Sequence, residues 1–171
     1  MNIRFANRND LPFIVDIYNQ AIRSKCATGD LTEFTVEQRI DWFNKFNIEK
    51  YPIYIIENET RIIGFCTLSP YRPGREAMDS VAEISYYIDY SYHNKGIGTK
   101  LLEYVISDCK RIGKESLLAI LLDINPGSIN ILKKFNFEKW GYFPNIINIE
   151  GKKCGQLIYG LNINLVTKTN V

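Results

Sequence analysis

The stretch "YHNKGIGTKLLEYV" (Tyr92–Val105) decides the fold. Gly96 and Gly98 stand one residue apart, and helical periodicity begins directly behind them. A helix N-terminus leaves its first N–H groups unpaired, and its aligned peptide dipoles place roughly half a positive charge there. Glycines let an anionic group approach that backbone with no Cβ in the way. The pattern fits a phosphate-binding turn. Taken alone, two such glycines more often mark an ordinary turn, so the flanking chain must decide.

Before this stretch, "SVAEISYYID" (80–89) reads as a strand. After it, Leu101, Leu102, Val105, Ile106, Cys109 and Ile112 share one face of a helix running from Gly98 to a stop at Gly113. The turn therefore joins a strand to a helix, where a phosphate site is built. Two familiar glycine motifs fail. The dinucleotide fingerprint needs glycine at 101, which is Leu; the P-loop needs Lys then Ser/Thr after its last glycine, and here Thr99-Lys100 follows.

Further out, Ile3–Ala6 reads as a short strand. Asn9 or Asp10 caps a helix with Leu11, Ile14, Val15, Tyr18 and Ile22 on one face. Thr35 is the N-cap expected for "VEQRIDWFNKF", and residues 24–34 read as loop. "YPIYIIE" (51–57) and "RIIGFCTLSPY" (61–71) form a hairpin across "NET". Residues 72–79 are a loop holding Arg72 and Arg75. "ESLLAILLDI" (115–124) is continuously apolar, as in a strand buried on both faces. A short helix follows "NPG", with Asn136 placed for αL geometry at its end. "CGQLIYGLNI" (154–163) is the last strand, and the polar residues 164–171 read as a frayed tail. The order implies one domain over residues 1–163, of α/β or α+β class, with one mixed sheet.

The 171 residues are 46% hydrophobic and 23% charged, which suits a single globular core. A net charge of +2 with no dense basic run argues against nucleic acid as a partner. No apolar run approaches the ~20 residues that span a bilayer, and "MNIRFANRND" carries no apolar signal region. Membrane association is therefore not expected. Cys26, Cys66, Cys109 and Cys154 stand far apart, which fits reduced thiols in the cytoplasm better than a metal site. His93 is the only histidine, so no metal is expected, and acid–base chemistry falls to Glu, Asp, Tyr or water.

"HNKGIG" resembles the Arg/Gln-x-x-Gly-x-Gly/Ala loop of the GNAT superfamily of N-acetyltransferases. "INPGSINILKKFNF" (124–137) is similar to that family's Asn-x-x-Ser/Ala-x-x-Leu/Phe-Tyr-x-x-x-Gly-Phe segment, with Asn125 and Ser128 in register. "YNQAI", "GFCTLSPYR" and "VAEISYYI" resemble the phosphinothricin N-acetyltransferase branch. The resemblance covers roughly residues 3–162. It implies a central mixed, twisted sheet flanked by helices and acetyl-CoA as cosubstrate. By it, the amides of Asn94, Lys95, Gly96, Ile97, Gly98 and Thr99 hold the pyrophosphate, with His93 where Arg or Gln is usual. Main-chain groups of Tyr86, Tyr87 and Ile88 line the pantetheine and hold the acetyl carbonyl. Asn125 bonds the pantetheine arm, with an N-cap before Ser128 as the alternative role.

Glu83 is the candidate base. It shares a strand face with Ser85, Tyr87 and Asp89; the alternative is a Glu at a wet strand end paired with Arg72 or Arg75. Asp89, nearer the loop, reads as surface. Arg72 and Arg75 are shaped to hold a substrate carboxylate, with solvated surface arginines an equal reading. Leu132 falls where relatives carry Tyr or His, which leaves the general acid to Tyr142, Tyr159, solvent or no group at all. The activity implied is acetylation of the amino group of a small amino-acid-like substrate such as phosphinothricin or methionine sulfoximine. Other amines (aminoglycoside, polyamine, protein N-terminus) and a non-catalytic CoA-binding module are the alternatives. Relatives of this branch are commonly homodimers, and the ring-rich segment 139–160 is either an interface or the last hairpin of the core.

Overall fold

The computed structural model describes residues 1–59 and 61–163; the tail 164–171, expected to fray, lies outside the described residues. Alternation of apolar side chains builds the centre of the sheet. In β2 (Ile53–Asn58), Ile53 and Ile55 face one side while Tyr54 and Ile56 face the other. It pairs antiparallel with β1 (Asn2–Phe5) and with β3 (Arg61–Pro70). Next come β4 (Val81–Ile88), β5 (Ser116–Leu122), β6 (Glu138–Ile149) and β7 (Lys152–Asn162). The seven strands lie in the order β1-β2-β3-β4-β5-β7-β6, and β4–β5 is the parallel pair in an otherwise antiparallel sheet.

Helices cover both faces. On one, α1 (Leu11–Ser24) and the short α2 (Ile40–Phe43) pack Ile14, Ile17, Trp42 and Phe43 against Ile53, Ile55 and Phe65. On the other, α3 (Ile97–Asp108) and α4 (Pro126–Lys134) bury Leu101, Leu102, Val105 and Leu132 against Tyr54, Leu68, Ile84 and Leu117. Leu101 and Leu102 are fully buried, so truncating either to Ala would cost about 2–5 kcal/mol.

Several local expectations change. Asp10 stands at the N-cap of α1 but makes no capping bond there; the side-chain cap is Asn7, before the 3-10 turn Arg8–Asp10, where its side chain accepts from Asn9 N–H and Asp10 accepts from Asn7 N–H at 2.7 Å. Asp10 is instead bound by Arg4 at 2.8 and 2.9 Å. Thr35 and Gln38 form a reciprocal box, but the helix behind it is only a 3-10 turn, Glu37–Arg39, and α2. α3 gives way to turns after Asp108, ending at Gly113 with φ +66°. Asn136 takes φ +60°, while Phe137 N–H reaches back to Leu132 C=O. The hairpin β6–β7 turns on Glu150 and Gly151, both at positive φ, as a two-residue turn of this hand requires. No helix among the described residues is long and apolar enough to cross a membrane.

Candidate active site

β4 and β5 run side by side for three rungs, Val81↔Ser116, Ala82↔Leu117 and Glu83↔Leu118, and then part. Past that point the strands border a cavity of about 610 Å³, within the usual range for small-molecule sites. Both faces of β4 line it: Ile84, Tyr86 and Ile88 from the α3 side, Ser85 and Tyr87 from the α1 side. The cavity therefore passes through the sheet.

Which main-chain groups face it follows from the ladder. Asp89 N–H donates to Ile63 C=O at 2.9 Å, continuing the register Gly64↔Ile88. Bonded pairs alternate in an antiparallel ladder, so Tyr87, Ser85 and Glu83 spend their polar groups on β3. Tyr86 and Ile88 turn theirs towards the cleft. The main chain of Tyr87, expected to line the pantetheine, is thus engaged with β3, although Tyr87 is among the residues that line the cavity. The Ile88 carbonyl accepts from His93 Nε2 at 2.9 Å, and the His93 ring stacks on Tyr90 with centroids 4.3 Å apart. His93 pins the loop to the strand through its side chain as well as contributing backbone.

At the cavity mouth, no hydrogen bond is found for the amides of Asn94, Lys95, Gly96, Ile97, Gly98 and Thr99 among the described residues. The first helical bond is Lys100 N–H to Gly96 C=O at 3.1 Å. Asn94 and Gly96 hold positive φ, 60° and 75°, which turns consecutive N–H groups into one concavity. Such a nest at a helix N-terminus suits a pyrophosphate. Lys95 does not line the cavity; its Nζ donates to Ser91 C=O and lies 4.9 Å from the Tyr92 ring centre. The two glycines differ. Gly96 is exposed with nothing near it, so its need is conformational. Gly98 is buried, and a Cβ there would lie 3.0 Å from Ile131 Cδ1 on α4. Close packing of α3 on α4 requires it, in addition to any ligand.

The second wall is α4. Asn125 Oδ1 caps it by accepting from Ser128 N–H at 3.1 Å, the alternative role foreseen for it; its Nδ2 has no partner among the described residues. The Ser128 carbonyl accepts from Tyr86 Oη at 3.4 Å. Leu132 is fully buried yet borders the cavity. Neither alternative proton donor reaches it. Tyr142 is exposed and donates to Asp123 at 3.0 Å, and Tyr159 is buried in the core.

Glu83 sits on the last β4–β5 rung, one residue before the first β4 residue that lines the cavity, and is not itself among the lining residues. It is half-buried, and desolvation raises its pKa. No hydrogen bond or ion pair is found for its side chain among the described residues, so it is not paired with Arg72 or Arg75. Those two arginines line a separate, smaller depression with Lys50, Tyr51 and Asp79, beyond the opposite end of β4 from the glycine loop. The structure does not bring them to the cleft. Asp89, read as surface, is 3% exposed: it accepts from Ser91 N–H and pairs with Arg61 at 2.8 Å, so its pKa is lowered despite burial.

Sequence reasoning missed two contributions. Ala119, Ile120 and Leu121 of β5 line the cavity, although the apolar run there signals only burial. So do Ala21 at the end of α1 and Cys26 and Ala27 in the loop behind it, where no motif points to a ligand.

A model of the acetyltransferase (GNAT) family matches residues 14–137. YwnH of Bacillus subtilis (strain 168), named as a candidate phosphinothricin acetyltransferase, is 33% identical over 164 residues, which is 96% of this chain and 100% of that one. The L-methionine sulfoximine/L-methionine sulfone acetyltransferase of Salmonella typhimurium is 26% identical over 146 residues, 85% of each. The crystal structure of an N-acetyltransferase from Staphylococcus aureus Mu50 superimposes with a TM-score of 0.89 at 32% identity, covering 95% of this chain and 98% of that one. The chain thus belongs to the acetyltransferase (GNAT) family: it is an N-acetyltransferase with acetyl-CoA as its cosubstrate.

Proposed function

We propose that the enzyme acetylates the amino group of a small amino-acid-like substrate of the phosphinothricin or methionine sulfoximine/sulfone type. The observation that carries this is the through-sheet cleft, with an amide nest at one end and the unpaired carboxylate of Glu83 on the rung where β4 and β5 part, next to the lining. The relatives' names supply the substrate class.

Acetyl-CoA supplies the acetyl group as a thioester. The amides of Asn94 through Thr99 hold its pyrophosphate, and Asn125 Nδ2 and the inward main-chain groups of Tyr86 and Ile88 hold the arm and orient the carbonyl. From Ile88 to Glu83 is roughly 16 Å along an ideal strand, a span comparable to a pantetheine arm. The reacting carbon then lies near that rung, closer to Glu83 than to Ile88. Glu83 accepts a proton from the substrate ammonium, directly or through one water. Burial makes it a stronger base than an ordinary carboxylate. Leu132 has no proton to give, so the thiolate departs without help from that position.

The enzyme works in the cytoplasm, a reading supported by four free cysteines. It pairs with a second copy through the β6 edge, where Trp140, Tyr142, Phe143 and Ile146 are each about half exposed.

The test is thiol release from acetyl-CoA against a panel of amines. Methionine sulfone, methionine sulfoximine and phosphinothricin are expected to turn over fastest. Faster release with spermidine, an aminoglycoside or a peptide N-terminus would replace the substrate class. Tight acetyl-CoA binding with no release for any amine would leave a binding module.

A further inference from the structure

On the α1 side of the sheet, Arg39 ends the 3-10 turn before α2. Its guanidinium carbon lies 3.9 Å from the ring centre of Trp42, 4.9 Å from that of Phe34 and 5.2 Å from that of Tyr18. The side chain is half-buried, and desolvation lowers its pKa, though a guanidinium remains charged. No hydrogen bond or ion pair is found for it among the described residues. The guanidinium N–H groups are thus unpaired but not fully buried, and packing on rings leaves their edge free to bind an anion.

Arg39, Tyr18 and Asp30 do not themselves line the cavity, but their neighbours do. Tyr18 meets Tyr87, a cavity-lining residue, edge-to-face with centroids 4.9 Å apart. Asp30 is held by Tyr18 Oη, which also bonds Thr28 Oγ1 at 2.9 Å. That loop begins at Cys26 and Ala27, which line the cavity. Asp30 and Arg39 feel each other's charge yet form no ion pair. Two opposite charges, both set on Tyr18 and kept apart, complement an amino acid, whose ammonium and carboxylate are likewise fixed apart on one carbon.

We propose that Arg39 is the carboxylate anchor of the acceptor site: its fork binds the substrate carboxylate, with the amino group turned towards Asp30 and Glu83. This rests on the amino-acid reading above and assigns to Arg39 the role first expected of Arg72 and Arg75, which line the separate, smaller depression.

The experiment compares methionine sulfone with its methyl ester, using the full chain and the variants Arg39→Lys, Arg39→Gln, Arg72→Gln and Arg75→Gln. A charge-assisted bidentate pair predicts at least a tenfold preference for the free acid in the parent enzyme. Arg39→Lys keeps the charge over the rings but loses the fork. It should raise KM for the acid at least tenfold and bring the acid:ester ratio towards one, with KM for acetyl-CoA unchanged. An unchanged ratio in both Arg39 variants overturns the anchor, as does a collapse caused by Arg72→Gln or Arg75→Gln instead. Calorimetric titration of methionine sulfone into the CoA complex separates the two readings. Binding that depends on Arg39 without any acetylation would sink the activity and keep the anchor. Absence of binding to the parent protein would sink both.

Discussion

Gly98 on α3 and Ile131 on α4 touch so closely that a Cβ on the glycine would lie 3.0 Å from Ile131 Cδ1. The glycine that signals a phosphate loop is thus also the contact point of two helices. Gly98→Val should destabilise the fold by about 1–3 kcal/mol through overpacking as well as weaken acetyl-CoA binding. Adding Ile131→Ala should recover much of the melting temperature but not the affinity. Recovery of both would mean that helix packing alone explains the residue.

His93 should matter more than a backbone position would. Its ring holds the Ile88 carbonyl and stacks on Tyr90. His93→Ala releases one hydrogen bond worth about 0.5–1.5 kcal/mol, so KM for acetyl-CoA should rise by about two- to tenfold. His93→Gln, whose amide can donate to the same carbonyl, should lie between that variant and the parent. Equal KM values for all three would leave the ring without a role.

Glu83 should trade stability for catalysis. Its pKa is raised by burial above the ordinary 4.5. As pH rises past that value, the unfolded chain loses the proton first. The native state then binds more protons, so stability falls with rising pH up to the folded pKa and stays lower beyond it. Glu83→Gln removes this penalty. Melting temperature at pH 7 should rise relative to the parent, with the gap closing below about pH 4.5. Loss of a positioned base typically costs ~10²–10⁴-fold, so kcat at pH 7 should drop at least tenfold and recover partly at high pH. Unchanged kcat throughout would leave Glu83 a structural residue.

Tyr142 and Tyr159 should be dispensable for chemistry. Neither borders the cleft, and Tyr142 spends its hydroxyl on Asp123. Tyr142→Phe and Tyr159→Phe should each keep kcat within about twofold, with a stability loss of about 1 kcal/mol or less for Tyr142→Phe. A hundredfold fall in kcat for either would identify the missing acid.

Periodicity made α1, α3 and the β2–β3 hairpin readable, because their apolar faces repeat at helix or strand spacing over many residues. β6 was legible only as one of two readings of residues 139–160, the last hairpin of the core. Its run "EKWGYFPNIINI" contains Gly141 and Pro144, shifts register twice, and is mostly exposed, so no apolar alternation marks it. The loop amides were legible because glycine reports backbone geometry directly. The placement of Arg39 was not: "VEQRIDW" reads only as the start of a helix with an apolar face, and tertiary packing alone sets that guanidinium against three rings. The two arginines after β3 looked equally suited to a carboxylate, since composition says nothing about which depression a loop enters.

The parting of β4 and β5 has a mechanical consequence. The sheet is two blades joined by three rungs, β1–β4 on one side and β5–β7 on the other. On the binding mode proposed above, acetyl-CoA would lie between them, where the ladder is missing. At a hundred times its Kd, such a ligand adds about 2.7 kcal/mol to the folded state. On that binding mode the two blades are tied together by the ligand as well as by three rungs when it is bound, and by the three rungs alone when it is not.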